Sequence, residues 1–377
     1  MKENITICTK CVMDTTDPHI NFDENGVCDF CRDYEKNILK NWTPNHFDKK
    51  GLLKISDKIK KKCKNKKYDC IIGLSGGVDS SYLCYVAKEI MGLRPFVYIS
   101  NTGWNLPVAD SNIKKVIEKL GLDYYVEEIN WKEMQDLQVA FLKSQVPYQD
   151  LVQDHIIFAG LYNYAIKHDF KYVLTGANIA TESIRPPMEW VYMNDVKMIK
   201  DIHKKFGKVQ LKTLPMCGIL KYKIWYKYFK GMHRVAPLDY VAYNKTDIEK
   251  FLIDYYGWEP YANKHYEDVF TRWYEGYYLP HKFGYDKRKC YFSNLIHINE
   301  MSREEALKKL AEPPYDAETI ESDTEYIATK LGLTANELKE IISGPNKTFR
   351  DYKNQYGLIK FGIKVSRFFG IENRNFR

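Results

Sequence analysis

Residues Ser75-Gly76-Gly77-Val78-Asp79-Ser80-Ser81 constrain this chain more than any other stretch. Tyr68-Asp69-Cys70-Ile71-Ile72-Gly73-Leu74 precedes them, a short apolar run of the kind that forms a strand buried on both faces. Tyr82, Leu83, Tyr85, Val86, Ile90 and Met91 follow at helical spacing. Two adjacent glycines let the backbone turn tightly and approach a ligand. The helix that begins there offers unpaired N–H groups and the positive end of its dipole. Strand, glycine–serine turn and helix start together make an anion cradle. It is not the Walker loop, because G-x-x-x-x-G-K-[ST] is absent. A Ser/Gly helix cap without a ligand is the alternative.

The rest of the composition narrows the class. A length of 377 residues suggests about two or three domains. Hydrophobic content of 45% with 28% charged residues is ordinary for a water-soluble fold. The net charge of +8 suits nucleic acid, nucleotides or other anionic substrates. No apolar run reaches the ~20 residues of a membrane span, and Met1-Lys2-Glu3-Asn4 does not open a signal peptide, so a cytoplasmic location without a membrane partner is expected. The nine cysteines, four in pairs and five scattered, argue against a disulfide framework.

Those pairs are Cys8-Thr9-Lys10-Cys11 and Cys28-Asp29-Phe30-Cys31, 16 residues apart. Each presents two thiolates from one turn, and two such knuckles complete a four-thiolate Zn²⁺ site. Asp23-Glu24-Asn25-Gly26 reads as the hairpin turn between them, giving a zinc ribbon over residues 1–45. A redox pair and an iron–sulfur cluster are the rivals. With four protein ligands the ion keeps no open position, so the role is structural.

From residue 68 strands (68–74, 95–100, 124–129, 171–175 and one near 235–238) alternate with helices (80–91, 109–120, 131–143 and 149–168). The expected class is α/β: a doubly wound parallel sheet over residues 46–260, an N-terminal ribbon and a mainly α-helical region over 261–377. Ligands of such sheets bind beyond the C-terminal strand ends. There Trp104 reads as a ring-stacking residue, with a plain glycine turn as the alternative, and Arg185 as a holder of anionic substrate, with a surface arginine as the alternative. Residues 185–230, aromatic and basic, read as a helical insertion over the site, with ordinary helix packing as the rival. Pro280-His281-Lys282-Phe283-Gly284-Tyr285-Asp286-Lys287-Arg288 reads as a basic segment closing over phosphates, with Lys282 and Arg288 neutralising a leaving pyrophosphate; a solvated basic turn is the alternative.

Ser75–Ser81 resembles the SGGxDS loop of the PP-loop ATPases, which cleave ATP to AMP and pyrophosphate. Leu174-Thr175-Gly176-Ala177-Asn178 resembles their second signature, and His233-Arg234-Val235-Ala236-Pro237-Leu238 followed by Lys245-Thr246-Asp247-Ile248 is similar to a later one. The opening Cys11-Val12-Met13-Asp14-Thr15 with Phe22 to Cys31, the stretch Lys282 to Arg288, and Pro345-Asn346-Lys347-Thr348-Phe349 resemble the N-acetyl sugar amidotransferase family of PP-loop enzymes. The family's R-x-x-H-x-S-x-L-I is similar to Arg288 through Ile296, with Tyr291 at the histidine position.

The resemblance implies ATP and Mg²⁺. Ser75, Gly76, Gly77, Val78, Asp79, Ser80 and Ser81 would hold the pyrophosphate, with Ser75 and Asp79 catalytic. Ser100 and Asn101 would meet the nucleoside, and Thr175, Gly176 and Asn178 the α-phosphate. Asp79 and Glu182 would hold magnesium. It implies conversion of an acetamido group on a bacterial surface sugar, carried as a nucleotide sugar or a nonulosonate, to an acetamidino group, in lipopolysaccharide or flagellin-glycan biosynthesis. Neither an N-terminal cysteine nor a G-x-C-x-G elbow supplies a glutaminase, so ammonia would come from a separate glutaminase with a cyclase-like subunit, resembling the pair of histidine biosynthesis. Nucleic acid is not expected as a partner. The alternative is a tRNA-thiolating PP-loop enzyme, kept open by Cys70 and Cys84 near the loop.

Overall fold

The computed structural model describes residues 5–192, 195–261 and 266–368. Residues 1–4 of the expected ribbon and 369–377 of the expected C-terminal region lie outside the described residues. Five parallel strands, β1 (Cys70–Gly73), β2 (Pro95–Asn101), β3 (Tyr124–Glu128), β4 (Tyr172–Leu174) and β5 (His233–Val235), form one sheet in the order β3-β2-β1-β4-β5. The fifth strand begins slightly earlier than its sequence pattern suggests.

The chain winds outward from β1 to β2 and β3, then returns to place β4 on the other side of β1. The crevice at the β1/β4 ends is therefore the switch point of the sheet, where such folds bind ligands. β1 is central, and its alternate residues serve opposite faces. Ile72 packs with Leu83 and Val116 from the helices Val78–Tyr85 and Pro107–Leu120, and with Val86, which begins the next helical turn. Ile71 packs with Ala159, Leu161 and Tyr162 of the helix Leu151–Lys167. Burial on both faces explains the unbroken apolar run of the sequence.

A second apolar cluster lies beyond the C-terminal end of β2. It joins Trp104, Phe141 and Met134 to Met198 and Ile202 of the helix Val196–Phe206, and to Phe270, Trp273, Tyr274, Ile327 and Phe349. Residues on either side of the expected 260/261 boundary thus share one core. The expected insertion divides in the same way. Its first helix packs on Trp131–Ser144, and Lys221–Phe229 buries Tyr226 beside Tyr162 and Met232, so neither helix lines the crevice at the β1 and β4 ends.

At the N-terminus, bridges Ile7↔Asp14 and Phe22↔Cys28 frame two knuckles. The turn enclosed by the second bridge closes with a Gly26 N–H to Asp23 carbonyl bond of 3.0 Å. The C-terminal region secures this ribbon: Ser293 Oγ accepts from the Val12 N–H at 3.2 Å, and Arg303 donates to the Cys8 and Cys11 carbonyls.

Candidate nucleotide site and metal centre

β1 hands the chain to the turn at Ser75. Gly76 takes φ +81°, and a Cβ there would lie 2.5 Å from the Ala109 carbonyl oxygen, so only glycine fits. The Trp258 indole N–H donates to the Gly76 carbonyl at 2.9 Å, which holds the turn from behind. Gly77 precedes the first helical residue with φ −73° and ψ 166°, and no side chain caps that helix start. Ser75 Oγ and Ser80 Oγ lie 3.2 Å apart, and Gly77 N–H donates to Ser75 Oγ at 3.3 Å. The loop is thus preformed by its own serines, with its N–H groups at a helix N-terminus.

The β4 end comes directly against it. A Cβ on Gly176 would lie 3.1 Å from Asp79 Cβ, and Asn178 Nδ2 approaches Asp79 Oδ1 at 3.4 Å while Asn178 Oδ1 accepts from the Thr181 N–H at 2.9 Å. The two signature loops, about a hundred residues apart in the chain, therefore form one structure. Between them is a cavity of about 170 Å³ walled by Ser75, Gly77, Val78, Asp79, Ser80, Gly176, Ala177, Thr181 and Glu182.

Five further residues complete that wall, and sequence reasoning gave them no role: Tyr243, Lys245, Tyr261, Glu267 and Tyr291. Tyr243 donates to Asp79 Oδ1. Burial, and then the Asp79 carboxylate, push the Tyr243 phenol well up, so it remains a donor. Burial pulls the Lys245 ammonium down, but Tyr291 and Glu249 outweigh it and hold the amine charged; its Nζ lies 5.2 Å from the Tyr291 ring centre. Lys245 and Tyr291 did stand inside quoted family segments, and that was the available signal. Tyr261 and Glu267 carry none.

Other sequence expectations need correction. Trp104 is 1% exposed and packs against Trp131 and Phe270, because an indole at that turn is drawn into the second core; it does not stack on a ligand. Lys282 Nζ donates to the Ile342 and Gly344 carbonyls at 2.8 and 2.5 Å, tying down the end of a helix. Arg288 is bidentate to Asp286 and also reaches the Lys309 and Glu312 carbonyls. Neither cation lines the cavity, so neither neutralises pyrophosphate. Ser81 is fully buried beneath the helix start. Ser100 and Asn101 end β2 on the far side of β1 from β4; Asn101 Nδ2 donates to Glu128 at 2.7 Å, and neither lines the cavity. Thr175, Asn178 and Arg185 instead line a second, larger cavity that meets the first at Ala177 and Glu182.

In the ribbon, Cys8, Cys11, Cys28 and Cys31 are fully buried with their sulfurs within 4.8 Å of one another. The pairs Cys8–Cys31, Cys11–Cys28 and Cys28–Cys31 are 3.9, 3.6 and 3.7 Å apart. A tetrahedron of thiolates about 2.3 Å from one ion has edges of about 3.8 Å, so the donor set fits a single metal ion. A four-iron cluster, with one iron per cysteine, would hold the sulfurs farther apart. His297 Nε2 lies 3.3 Å from Cys31 Sγ, and its ring stacks on Tyr34 at 4.1 Å, which braces this knuckle from outside.

Comparison with known proteins agrees with this geometry. Residues 52–184 match the NAD synthase family, and residues 267–366 match the family described as LPS biosynthesis protein WbpG-like, C-terminal domain. A tRNA-specific 2-thiouridylase, MnmA 2 of Fusobacterium nucleatum, is 26% identical over 141 residues; the match spans 35% of this chain and 40% of that protein. Among solved structures, the NH3-dependent NAD synthetase of Campylobacter jejuni (TM-score 0.33, 16% identity, 80% of this chain and 98% of that one) is similar. So is the U34-tRNA thiolase NcsA of Methanococcus maripaludis with its [4Fe-4S] cluster (0.33, 14%, 85% and 88%). Likenesses this loose carry no argument about activity. The paired loops at the switch point of the sheet and the two family matches together make the chain a PP-loop protein with the C-terminal domain of the WbpG-like lipopolysaccharide-biosynthesis proteins.

Proposed function

We propose that the protein is an AMP-forming, ATP-dependent amidotransferase that converts the acetamido group of an N-acetylated sugar to an acetamidino group during surface-polysaccharide or flagellin-glycan synthesis in the cytoplasm. The observation that carries this reading is the presence, in one chain, of a pyrophosphate-type loop and a domain of the lipopolysaccharide-biosynthesis type.

An amide carbonyl is a poor electrophile, and its oxygen is a poor leaving group. In the proposed reaction the amide oxygen attacks the α-phosphorus of ATP, the bond to pyrophosphate breaks, and the amide N–H gives up its proton as the C=N bond of an O-adenylyl imidate forms. Ammonia then attacks the imidate carbon, the C–O bond breaks, and AMP departs with the oxygen. Pyrophosphate charge would be held by the N–H groups of residues 76–80, by the helix dipole and by Lys245. Glu267, which lines the same cavity, is the base at hand for these protons. Mg²⁺ would neutralise phosphate charge when bound, and Asp79 and Glu182 would hold it. The four cysteines would hold zinc as a structural ion. A separate glutaminase with a cyclase-like partner would supply the ammonia.

The thiouridylase likeness makes tRNA thiolation the competing reading. In its cysteine-dependent form that chemistry uses an accessible thiolate beside the nucleotide. Among the described residues no cysteine lines the loop cavity; Cys70 and Cys84 are fully buried, and burial pushes the Cys84 thiol up to about 12. The amidation reading is tested by incubating the protein with ATP, ammonium and a panel of N-acetylated sugars. AMP formation with a product mass change of about −1 Da, the exchange of O for NH, is the expected result. Formation of ADP and orthophosphate, or of AMP only with tRNA and a sulfur donor, would sink it.

A further inference from the structure

The larger cavity, about 650 Å³, lies between residues 37–48, at the C-terminal end of the ribbon region, and the C-terminal ends of β4 and β5. Its size falls within the roughly 300–1,000 Å³ typical of small-molecule sites, whereas the loop cavity does not. The two cavities share Ala177 and Glu182, so a molecule filling the larger one has one end beside the nucleotide.

Its charged lining comprises the carboxylates Asp48, Glu182 and Asp239 and two guanidinium groups. Asp48 caps the helix Lys49–Lys62, accepting from the Gly51 N–H at 2.9 Å, and Asp239 Oδ1 accepts from the Ile179 N–H at 2.7 Å. These two carboxylates are engaged by backbone donors. On the cationic side stand Arg185 and Arg234. Arg234 sits in the short edge strand β5, exposed, and Nη2 donates at 3.2 Å to Thr175 Oγ1, a neutral acceptor that aims the guanidinium without cancelling its charge. The opposite wall carries Trp42, whose indole N–H donates to the Asp239 carbonyl at 3.0 Å and so fixes the ring as a flat apolar face.

We propose that this cavity is the site of the second substrate: an N-acetylated sugar bearing an anionic group, a phosphate or a carboxylate, held by Arg185 and Arg234. The sugar lies against Trp42 and its acetamido group reaches the shared wall at Ala177 and Glu182. This assignment rests on the amidotransferase reading. It also gives the ribbon a purpose, since Cys31 and Asn37 share one continuous helical segment, residues 29–38, and Asn41 and Trp42 of the cavity wall follow it.

Calorimetric titration of the full chain with a UDP-N-acetylhexosamine, a CMP-linked N-acetylated acid sugar, the free acid sugar and free N-acetylhexosamine tests it. The wild-type protein should bind at least one charged sugar about tenfold or more tighter than the uncharged one, and which charged sugar it is separates phosphate from carboxylate recognition. The double variant Arg185→Gln/Arg234→Gln should weaken that sugar about tenfold or more while binding ATP within about twofold of wild type. Trp42→Ala should weaken charged and uncharged sugars alike. Equal binding of the charged sugar by the double variant and the wild type, equal wild-type binding of charged and uncharged sugars, or no sugar binding at all overturns the assignment. A charged sugar bound in the expected way without AMP formation would overturn the amidation reading and leave the cavity assignment standing.

Discussion

Tyr243 donates its phenol hydrogen to Asp79 Oδ1, although the two residues are 164 positions apart in the chain. The contact joins the pyrophosphate loop after β1 to the segment that follows β5, and it orients a carboxylate at the start of a helix. A charge-assisted hydrogen bond of this kind contributes about 1.5–3 kcal/mol. Tyr243→Phe is therefore expected to lower the rate of AMP formation by about 10- to 100-fold in steady-state assays, with the fold retained. Asp79→Ala should abolish it. Full activity of both variants would detach this pair from catalysis.

The four-cysteine centre should be a folding element. Cys28→Ser is expected to give a protein that carries less than one equivalent of zinc by elemental analysis and loses several kcal/mol of stability, because metal binding and ribbon folding are one equilibrium. Arg303 and His297 pack on the knuckles, so the loss should extend to the C-terminal helices. A variant without metal that denatures like the wild type would contradict a structural role, and a four-iron cluster in the wild-type protein would contradict the single-ion geometry.

Lys282 and Arg288 make the opposite prediction. Both bind backbone carbonyls at helix ends, and burial pulls the Lys282 ammonium down. Each alanine variant should lose about 1–3 kcal/mol of stability and leave the KM for ATP unchanged in folded protein, as an unsatisfied carbonyl demands. A raised KM for ATP at unchanged stability would restore these residues to the nucleotide site.

Glu133 anchors residues 212–214 to the helix Trp131–Ser144. Its carboxylate accepts from the N–H groups of Lys212, Thr213 and Leu214 at 2.9–3.1 Å and from the Thr213 hydroxyl at 2.9 Å. Burial pushes its pKa up, but these donors outweigh burial and hold it below the usual range. The folded pKa lies below the unfolded one, so the contribution is fully present above the unfolded value of about 4.3 and fades as pH falls through the folded value. Glu133→Gln should cost about 1.5–3 kcal/mol at pH 7, with the gap to wild type closing below about pH 4 in urea titrations. A gap independent of pH would show that charge plays no part.

Much of the site was legible because PP-loop chemistry is local. The turn at Gly76 needs a residue with positive φ and no side chain, the helix after it needs a free N-terminus, and both requirements write themselves into seven consecutive letters. Paired CxxC knuckles are local in the same sense. Lys282, Arg288 and Trp104 were misread because their residue types suit ligand binding equally well. Only packing shows that two of them hold helix ends and the third fills a core.

The amino-acid order by itself determined the parallel α/β sheet, the anion cradle and the metal-binding knuckles, because short-range backbone geometry and side-chain period encode each of them. The tertiary structure alone decided which distant groups face the cradle. Tyr243, Lys245, Tyr261, Glu267 and Tyr291 converge there from three separate segments, and Trp42 meets Arg234 across a second cavity. No local pattern encodes such meetings, since they follow from where the switch point of the sheet and the shared apolar core bring the chain back.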